Sequence, residues 1–207
     1  MSRLIRDLKS FVGYLIDIFL IATFKFSNPH SYTKFLTIYR TKKKTNSDIF
    51  IETGTFLGVM ADRCSRIFNK VYTIELDPTL AQNAKNYLAT RKNVTVIEGD
   101  GLKILKEIFK SEQITNAIIF LDGHYSGGIT ACGDIPEPAV EEISVLSQYK
   151  DKIGAIIIDD FRVFGSENNI PTKSELFKSV ENKFGYNEFE INVYLDQLLV
   201  IRKVSAK

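Results

Sequence analysis

An alternation constrains this chain more than any other feature. From residue 48 onward, short runs rich in Ile, Val, Phe and Tyr are separated by stretches with helical spacing, and the links between them are short. The strand-like runs are DIFIET (48–53), KVYTIEL (70–76), VTVIEG (94–99), NAIIFLD (116–122) and IGAIIIDD (153–160). GVMADRCSRIFN (58–69), PTLAQNAKNYLAT (78–90), LKILKEIFK (102–110), PEPAVEEISVLSQY (136–149) and TKSELFKSVENKF (172–184) read as helices. Pro78 suits a first helical turn, where its missing N–H costs nothing. Near-continuous apolar strands need cover on both faces, and strand–helix–strand units close as right-handed parallel crossovers. Two final runs, NEFEINVY (187–194) and QLLVIRK (197–203), are split by Leu195 and Asp196 alone, which implies a tight hairpin. The expected fold is α/β: a doubly wound, mostly parallel seven-stranded sheet with a C-terminal antiparallel β-hairpin, preceded by an N-terminal helical segment.

In such open sheets ligands bind beyond the carboxyl ends of the strands. The first strand ends in ETGTFLG, which carries Glu52, Gly54, Phe56 and Gly58. Glycine lets the backbone turn tightly and approach a ligand, and the next helix offers its amides. The spacing departs from the dinucleotide G-x-G-x-x-G because Phe56 stands where a glycine is needed. Taken alone, a plain strand–helix turn explains it equally well. Glu75 ends the second strand, 21 residues after Gly54. It reads as a ribose-hydroxyl acceptor, or as a solvated carboxylate ahead of a helix N-terminus. Asp100, followed by Gly101, either accepts from an adenine amino group or caps a helix. Asp122 ends the fourth strand, and Asp159 and Asp160 end the fifth. Three carboxylates at adjacent tips repel unless a cation joins them, and hard cations such as Mg²⁺ take oxygen ligands. The alternative is that they cap loops and face water. His124, two residues past Asp122, either takes a proton from a substrate hydroxyl or makes a structural loop hydrogen bond.

Charge is divided unevenly. Residues 1–47 hold nine Lys/Arg and two Asp, a balance of +7, and the remainder holds 18 basic and 23 acidic residues, a balance of −5. Residues 1–47 therefore read as a basic helical appendage to a domain spanning 48–207. Within it FVGYLIDIFLIATFKF (11–26) is shorter than the roughly 20 residues a membrane span needs, and Asp17 interrupts it. No small-residue cleavage site follows, so a cleaved signal peptide is not expected. On a helical wheel Arg3, Arg6, Ser10 and Asp17 share one face and apolar residues cover most of the rest. Such a helix packs on its own domain, packs on a partner, or lies in a membrane interface. The basic run TKKKT (41–45) lacks interleaved aromatics and precedes an acidic domain, so no nucleic-acid partner is expected. Two cysteines, Cys64 and Cys132, form no framework and no metal pattern, which favours a reducing, cytoplasmic setting, with membrane association through the N-terminal helix left open.

Read together, these residues resemble the class I S-adenosylmethionine-dependent methyltransferases over about residues 48–203, hairpin included. ETGTFLG is similar to the E-x-G-x-[FY]-x-G loop of the cation-dependent small-molecule O-methyltransferases, and FLDGH with IIIDDF is similar to their paired metal strands. LDGHYSGG together with IDD also resembles a bacterial group of methyltransferase-like proteins. The resemblance implies a Rossmann-like fold, S-adenosyl-L-methionine as cofactor, and Mg²⁺ or another divalent cation. It implies cofactor contacts from Glu52, Gly54, Phe56 and Gly58 at the methionine part, Glu75 at the ribose, Asp100 and Gly101 near adenine, and Asp122 beside them. Asp122, Asp159 and Asp160 would hold the cation, with His124 and Asp122 at the reacting centre. Catechol-type members place a lysine base three residues after the first metal aspartate. Tyr125 fills that place here, and His124 comes one residue earlier. The loop SGGITACGDIPEP (126–138) would shape the acceptor site, with Asp134 a ligand, a substrate contact or a helix cap. The implied activity is methyl transfer to a hydroxyl of a small molecule or sugar. The alternatives are a metal-independent N- or C-methyltransferase, and a non-catalytic cofactor-binding scaffold docking a partner or membrane. A homodimer is also open.

Overall fold

A computed structural model describes residues 3–26, 28–123, 138–167 and 170–203. His124, Tyr125, Cys132, Asp134 and nearly all of the 126–138 loop lie outside the described residues. Two helices come first, α1 (Arg3–Ala22) and α2 (Ser31–Thr45). Then follow β1 (Ile49–Thr53), α3 (Val59–Cys64), β2 (Lys70–Glu75), α4 (Pro78–Leu88), β3 (Val94–Glu98), α5 (Gly101–Ser111) and β4 (Ala117–Leu121). The chain continues through α6 (Ala139–Leu146), β5 (Ile153–Ile158), α7 (Lys173–Phe184), β6 (Phe189–Tyr194) and β7 (Gln197–Arg202). The seven strands lie in the order β3-β2-β1-β4-β5-β7-β6. The first five pair in parallel and β7 is antiparallel to both neighbours. This is the doubly wound sheet with a terminal hairpin expected from the sequence. Helix α3 stops short of the expected residue 69 because the chain tightens into i→i−3 bonds, Arg66 N to Arg63 O at 3.1 Å and Ile67 N to Cys64 O at 3.0 Å.

Side-chain alternation builds the two halves of the core. Ile51, Ile119, Leu121, Ile156, Ile158, Leu198 and Val200 face α5, α6 and α7 through Leu105, Phe109, Ile143, Leu176 and Val180. Their neighbours Phe50, Ile118, Phe120, Ala155, Ile157 and Leu199 face α2, α3 and α4 through Ile38, Met60, Ala61, Ala84 and Leu88. The period of two along strands buried on both sides is why the sequence shows unbroken apolar runs. Leu195 and Asp196 take φ of 47° and 65°, the paired left-handed conformation of a two-residue hairpin turn.

Helix α2 covers the sheet, with Ile38 fully buried. Helix α1 packs with its polar face inward. Arg6 Nη2 lies 2.9 Å from Asp62 Oδ2, and Arg3 Nε lies 3.5 Å from Asp62 Oδ1. Asp17, with 0% of its surface exposed, accepts from His30 N at 2.8 Å and from the Thr33 hydroxyl, and faces His30 Nδ1 at 2.6 Å. His30 is the N-cap of α2, so the Asp17 carboxylate sits at the positive end of that helix. Buried polar groups are tolerated when so paired. Of the three placements open to this helix, its polar face takes the first, packing on its own domain. Ile5, Leu8, Phe11, Leu15, Ile16 and Phe19 consequently point outward, Phe19 with 65% of its surface exposed. Among the described residues no helix is long and apolar enough to cross a membrane.

Candidate active site at the strand tips

Strands β1 and β4 are parallel neighbours whose following helices pack on opposite faces of the sheet, so a crevice opens between their carboxyl ends. Gly54 closes its floor. It takes φ +86°, and a Cβ there would stand 2.2 Å from the Asp122 carbonyl oxygen, so only glycine fits. Phe56 holds φ +48°, an uncommon conformation for a bulky residue. Glu75 stabilises it: Oε2 accepts from Phe56 N at 2.7 Å, and Oε1 accepts from Asp77 N at 3.1 Å. The carboxylate at the end of β2 is thus the clasp of the loop after β1, placed at the crevice. Gly58, at φ +71°, is the N-cap of α3.

Around the crevice the small residues Gly101 and Gly123 leave space beside Thr53. A Cβ on Gly123 would meet Thr53 Oγ1 at 3.2 Å, and one on Gly101 would meet Thr53 Cγ2 at 3.2 Å. Thr53 Oγ1 is buried and has no hydrogen-bond partner among the described residues. An orphaned hydroxyl beside a glycine-lined cradle fits a polar ligand. Glu52 is buried one position earlier and accepts from Thr73 Oγ1 at 2.6 Å. Burial pushes its carboxyl well above the usual range. The Asp122 and Glu75 charges add to that rise, and the Thr73 hydroxyl works against it. Asp100 caps α5 by accepting from Lys103 N at 3.0 Å, the local role that its position before a helix allowed.

Beside this crevice the tips of β4 and β5 bring Asp122, Asp159 and Asp160 together. One oxygen from each lies within 4.8 Å of the others. The β-ladder continues into this corner, with Asp122 N bonded to Thr53 O at 3.1 Å and Asp159 N to Leu121 O at 2.9 Å. Asp160 is left-handed at φ +49°, turning its side chain back toward the cluster. The hairpin turn supports that turn: Asp196 O accepts from Phe161 N at 2.8 Å, and Asp196 Oδ1 accepts from Arg162 N at 2.7 Å. Like charges at this spacing repel by about 3 kcal/mol per pair at an effective dielectric near 20, a repulsion that a compensating cation relieves. The donor set is all carboxylate oxygen, which fits a hard divalent ion in chemistry and spacing.

The cationic groups in contact with the cluster were invisible from sequence. Lys34, on the first turn of α2, is in ion-pair contact with Asp159 Oδ2 and lies 3.1 Å from Asp160 Oδ1. Burial opposes its charge, but Asp159, Asp122 and Asp160 outweigh that and raise its pKa above the ordinary lysine range. Arg162 Nη1 reaches Asp160 Oδ1 at 2.8 Å, and Gln197 Nε2 donates to Asp159 Oδ1 at 3.0 Å. Nothing in the local sequence SYTKFL marks Lys34, which is 126 residues from Asp160.

No protein-family model matches the chain. Two curated relatives are a probable ribosomal RNA small subunit methyltransferase A from Methanococcus maripaludis and another from Thermococcus onnurineus. The first is 37% identical over 35% of this chain and the second 42% over 28%. The chain spans only 27% and 21% of their lengths. These relatives overturn the expected exclusion of nucleic acid and, with it, the small-molecule or sugar acceptor, because their names specify RNA. The exclusion rested on the missing aromatics around the run TKKKT (41–45) and on the acidic domain behind it, and that run is no guide to the acceptor side. Lys42 bonds Ser47 O at 2.7 Å, Lys44 pairs with Glu190, and both lie at the end of α2 away from Lys34 and the carboxylates. Among solved structures, an O-methyltransferase from Bacillus cereus in complex with SAH superposes with a TM-score of 0.61 at 16% identity, covering 85% of this chain and 84% of that one. The O-methyltransferase TomG from Streptomyces achromogenes, in complex with SAM, gives 0.58 at 16% identity over 82% and 80%. The chain has the fold of the class I S-adenosylmethionine-dependent methyltransferases.

Proposed function

We propose that this chain transfers a methyl group from S-adenosylmethionine to an acceptor hydroxyl at the carboxyl ends of β1, β4 and β5. The observation that carries the reading is the β1–β4 crevice, where Gly54 abuts the Asp122 backbone and the buried Thr53 hydroxyl has no partner among the described residues. In this reading residues 48–207 form the transferase unit and residues 1–47 cover it. Glu52, Gly54, Phe56 and Gly58 surround the methionine part of the cofactor. Glu75 keeps acceptor capacity on both oxygens for ribose hydroxyls while it holds the loop, and Asp100 with Gly101 borders the adenine. Bound there, the cofactor supplies an electrophilic sulfonium methyl.

The protein's own work is alignment and proton removal. His124 would take the acceptor proton, two residues past the fixed Asp122. Asp122, Asp159 and Asp160 would hold a divalent cation, which would lower the proton affinity of an acceptor oxygen. Ribosomal RNA, the substrate in the curated relatives' names, is the acceptor to test first. Methyl-labelled cofactor incubated with small-subunit rRNA, purified protein and Mg²⁺ should give label in RNA, and nuclease digestion should locate it on an oxygen. Label on a base nitrogen or carbon instead would favour the metal-independent alternative. No transfer to any acceptor, despite tight cofactor binding, would favour a non-catalytic cofactor-binding protein.

A further inference from the structure

We propose that the Lys34 ammonium is a built-in cation at the strand-tip carboxylates, and that a divalent metal enters only by displacing it. The inference deepens the proposed function at the same site and rests on that reading only for the site's role. Its basis is geometric. Lys34 Nζ touches Asp159 Oδ2 and stands 3.1 Å from Asp160 Oδ1, and its side chain is only 14% exposed. It therefore engages two of the three carboxylates that a metal would need. A divalent ion held by Asp159 and Asp160 would compete with the ammonium for their lone pairs and for the space beside them.

The placement of Lys34 is not incidental to a long flexible side chain. Its neighbour Thr33 donates to the buried Asp17 of α1, and the same carboxylate accepts from His30 N at the start of α2. Arg63 of α3 bonds Ser31 Oγ at 2.6 Å and Ser10 Oγ at 2.5 Å, tying both helices to the domain. His30, Ser31 and Thr33, just before Lys34, are thus anchored before its side chain reaches the cluster. Gly13 allows the close crossing of α1 and α2, because a Cβ there would stand 2.8 Å from the His30 ring. The two N-terminal helices therefore deliver one positive charge to the tips of β4 and β5. The state seen here is the one with that charge in place.

The test uses the full chain and Mn²⁺ as the probe. Wild type, Lys34→Met, Lys34→Gln and Lys34→Arg are titrated with Mn²⁺ by calorimetry and by electron paramagnetic resonance of free Mn²⁺, with and without S-adenosylhomocysteine. Met keeps the apolar stem and Gln keeps a polar head, so two different neutral replacements guard against a single misfolded variant. Both should bind Mn²⁺ at least about tenfold more tightly than wild type, and Arg should resemble wild type. Mn²⁺ should also raise the melting temperature of the neutral variants more than that of wild type. No gain in either neutral variant, whether because every protein binds Mn²⁺ or because none does, overturns the proposal. Loss of S-adenosylhomocysteine binding by wild type in the same samples would instead sink the methyltransferase reading, and the Mn²⁺ contrast would still decide the role of Lys34.

Discussion

Asp62→Asn deletes one negative charge from the joint that holds α1. The Asp62 side chain is fully buried, and four guanidinium groups surround it: Arg91 Nε at 2.8 Å, Arg6 Nη2 at 2.9 Å, Arg66 Nη2 at 3.1 Å and Arg3 Nε at 3.5 Å. Removing one partner of a buried pair costs about 3–5 kcal/mol, because the other charge is left uncompensated. Three of the four arginines soften that here. Arg66 is 44% exposed, Arg3 35% and Arg91 27%, so these turn to water. Arg6, at 7%, cannot, although it keeps Asp7 at 2.7 Å. The expected loss is about 2–3 kcal/mol, or roughly 4–12 °C in melting temperature for a domain of this size. Burial works to raise the Asp62 pKa, but hydrogen bonds and charge from Arg91 and Arg6 outweigh it and the carboxyl is held below its ordinary value. A depressed folded pKa contributes stability that is complete above the ordinary aspartate value near 3.9 and lost as pH falls through the folded value. The gap between wild type and variant should therefore be constant around neutrality and shrink below about pH 4. Urea and thermal unfolding at pH 7 and at acid pH measure it. A variant within about 0.5 kcal/mol of wild type at pH 7 would refute the inward polar face of α1 as its anchor.

Gly54→Ala should cost more than about 2 kcal/mol, combining the left-handed penalty with a collision against the Asp122 carbonyl, and should abolish S-adenosylhomocysteine binding. Urea titration and calorimetry check the two effects separately, and a stable variant that still binds would place the ligand elsewhere. His124→Ala should lose turnover while keeping cofactor and Mn²⁺ affinity. Unchanged turnover would remove it as the base, and lost Mn²⁺ affinity would make it a ligand.

The central domain was legible because its instructions are local. Unbroken apolar runs required a doubly covered sheet, and a gap of two residues required the hairpin. The strand-end acids could be located once the strands were known, since a parallel sheet aligns its carboxyl ends. The orientation of α1 was not legible. A helical wheel separates the faces but cannot say which one finds a partner, and Asp62 lies 56 residues from Arg6. Lys34 failed for the same reason. Its destination depends on how α2 crosses the sheet, a long-range packing result that no local spacing encodes. Glu75 was located by its distance from Gly54, but its bond to Phe56 N follows from a left-handed turn that the residue type disfavours.

The most direct test of the account is titration of the full chain with S-adenosylhomocysteine, read by calorimetry and by thermal unfolding. Saturable binding at one site per chain is predicted, with melting temperature rising as ligand increases. At a hundredfold excess over Kd the stabilisation should be about 2.7 kcal/mol, or roughly 5–11 °C. Glu75→Ala should reduce that rise at equal ligand concentration, because it releases the clasp on the loop after β1. No heat and an unchanged melting temperature at millimolar ligand would contradict the claim that the β1–β4 crevice is a cofactor site.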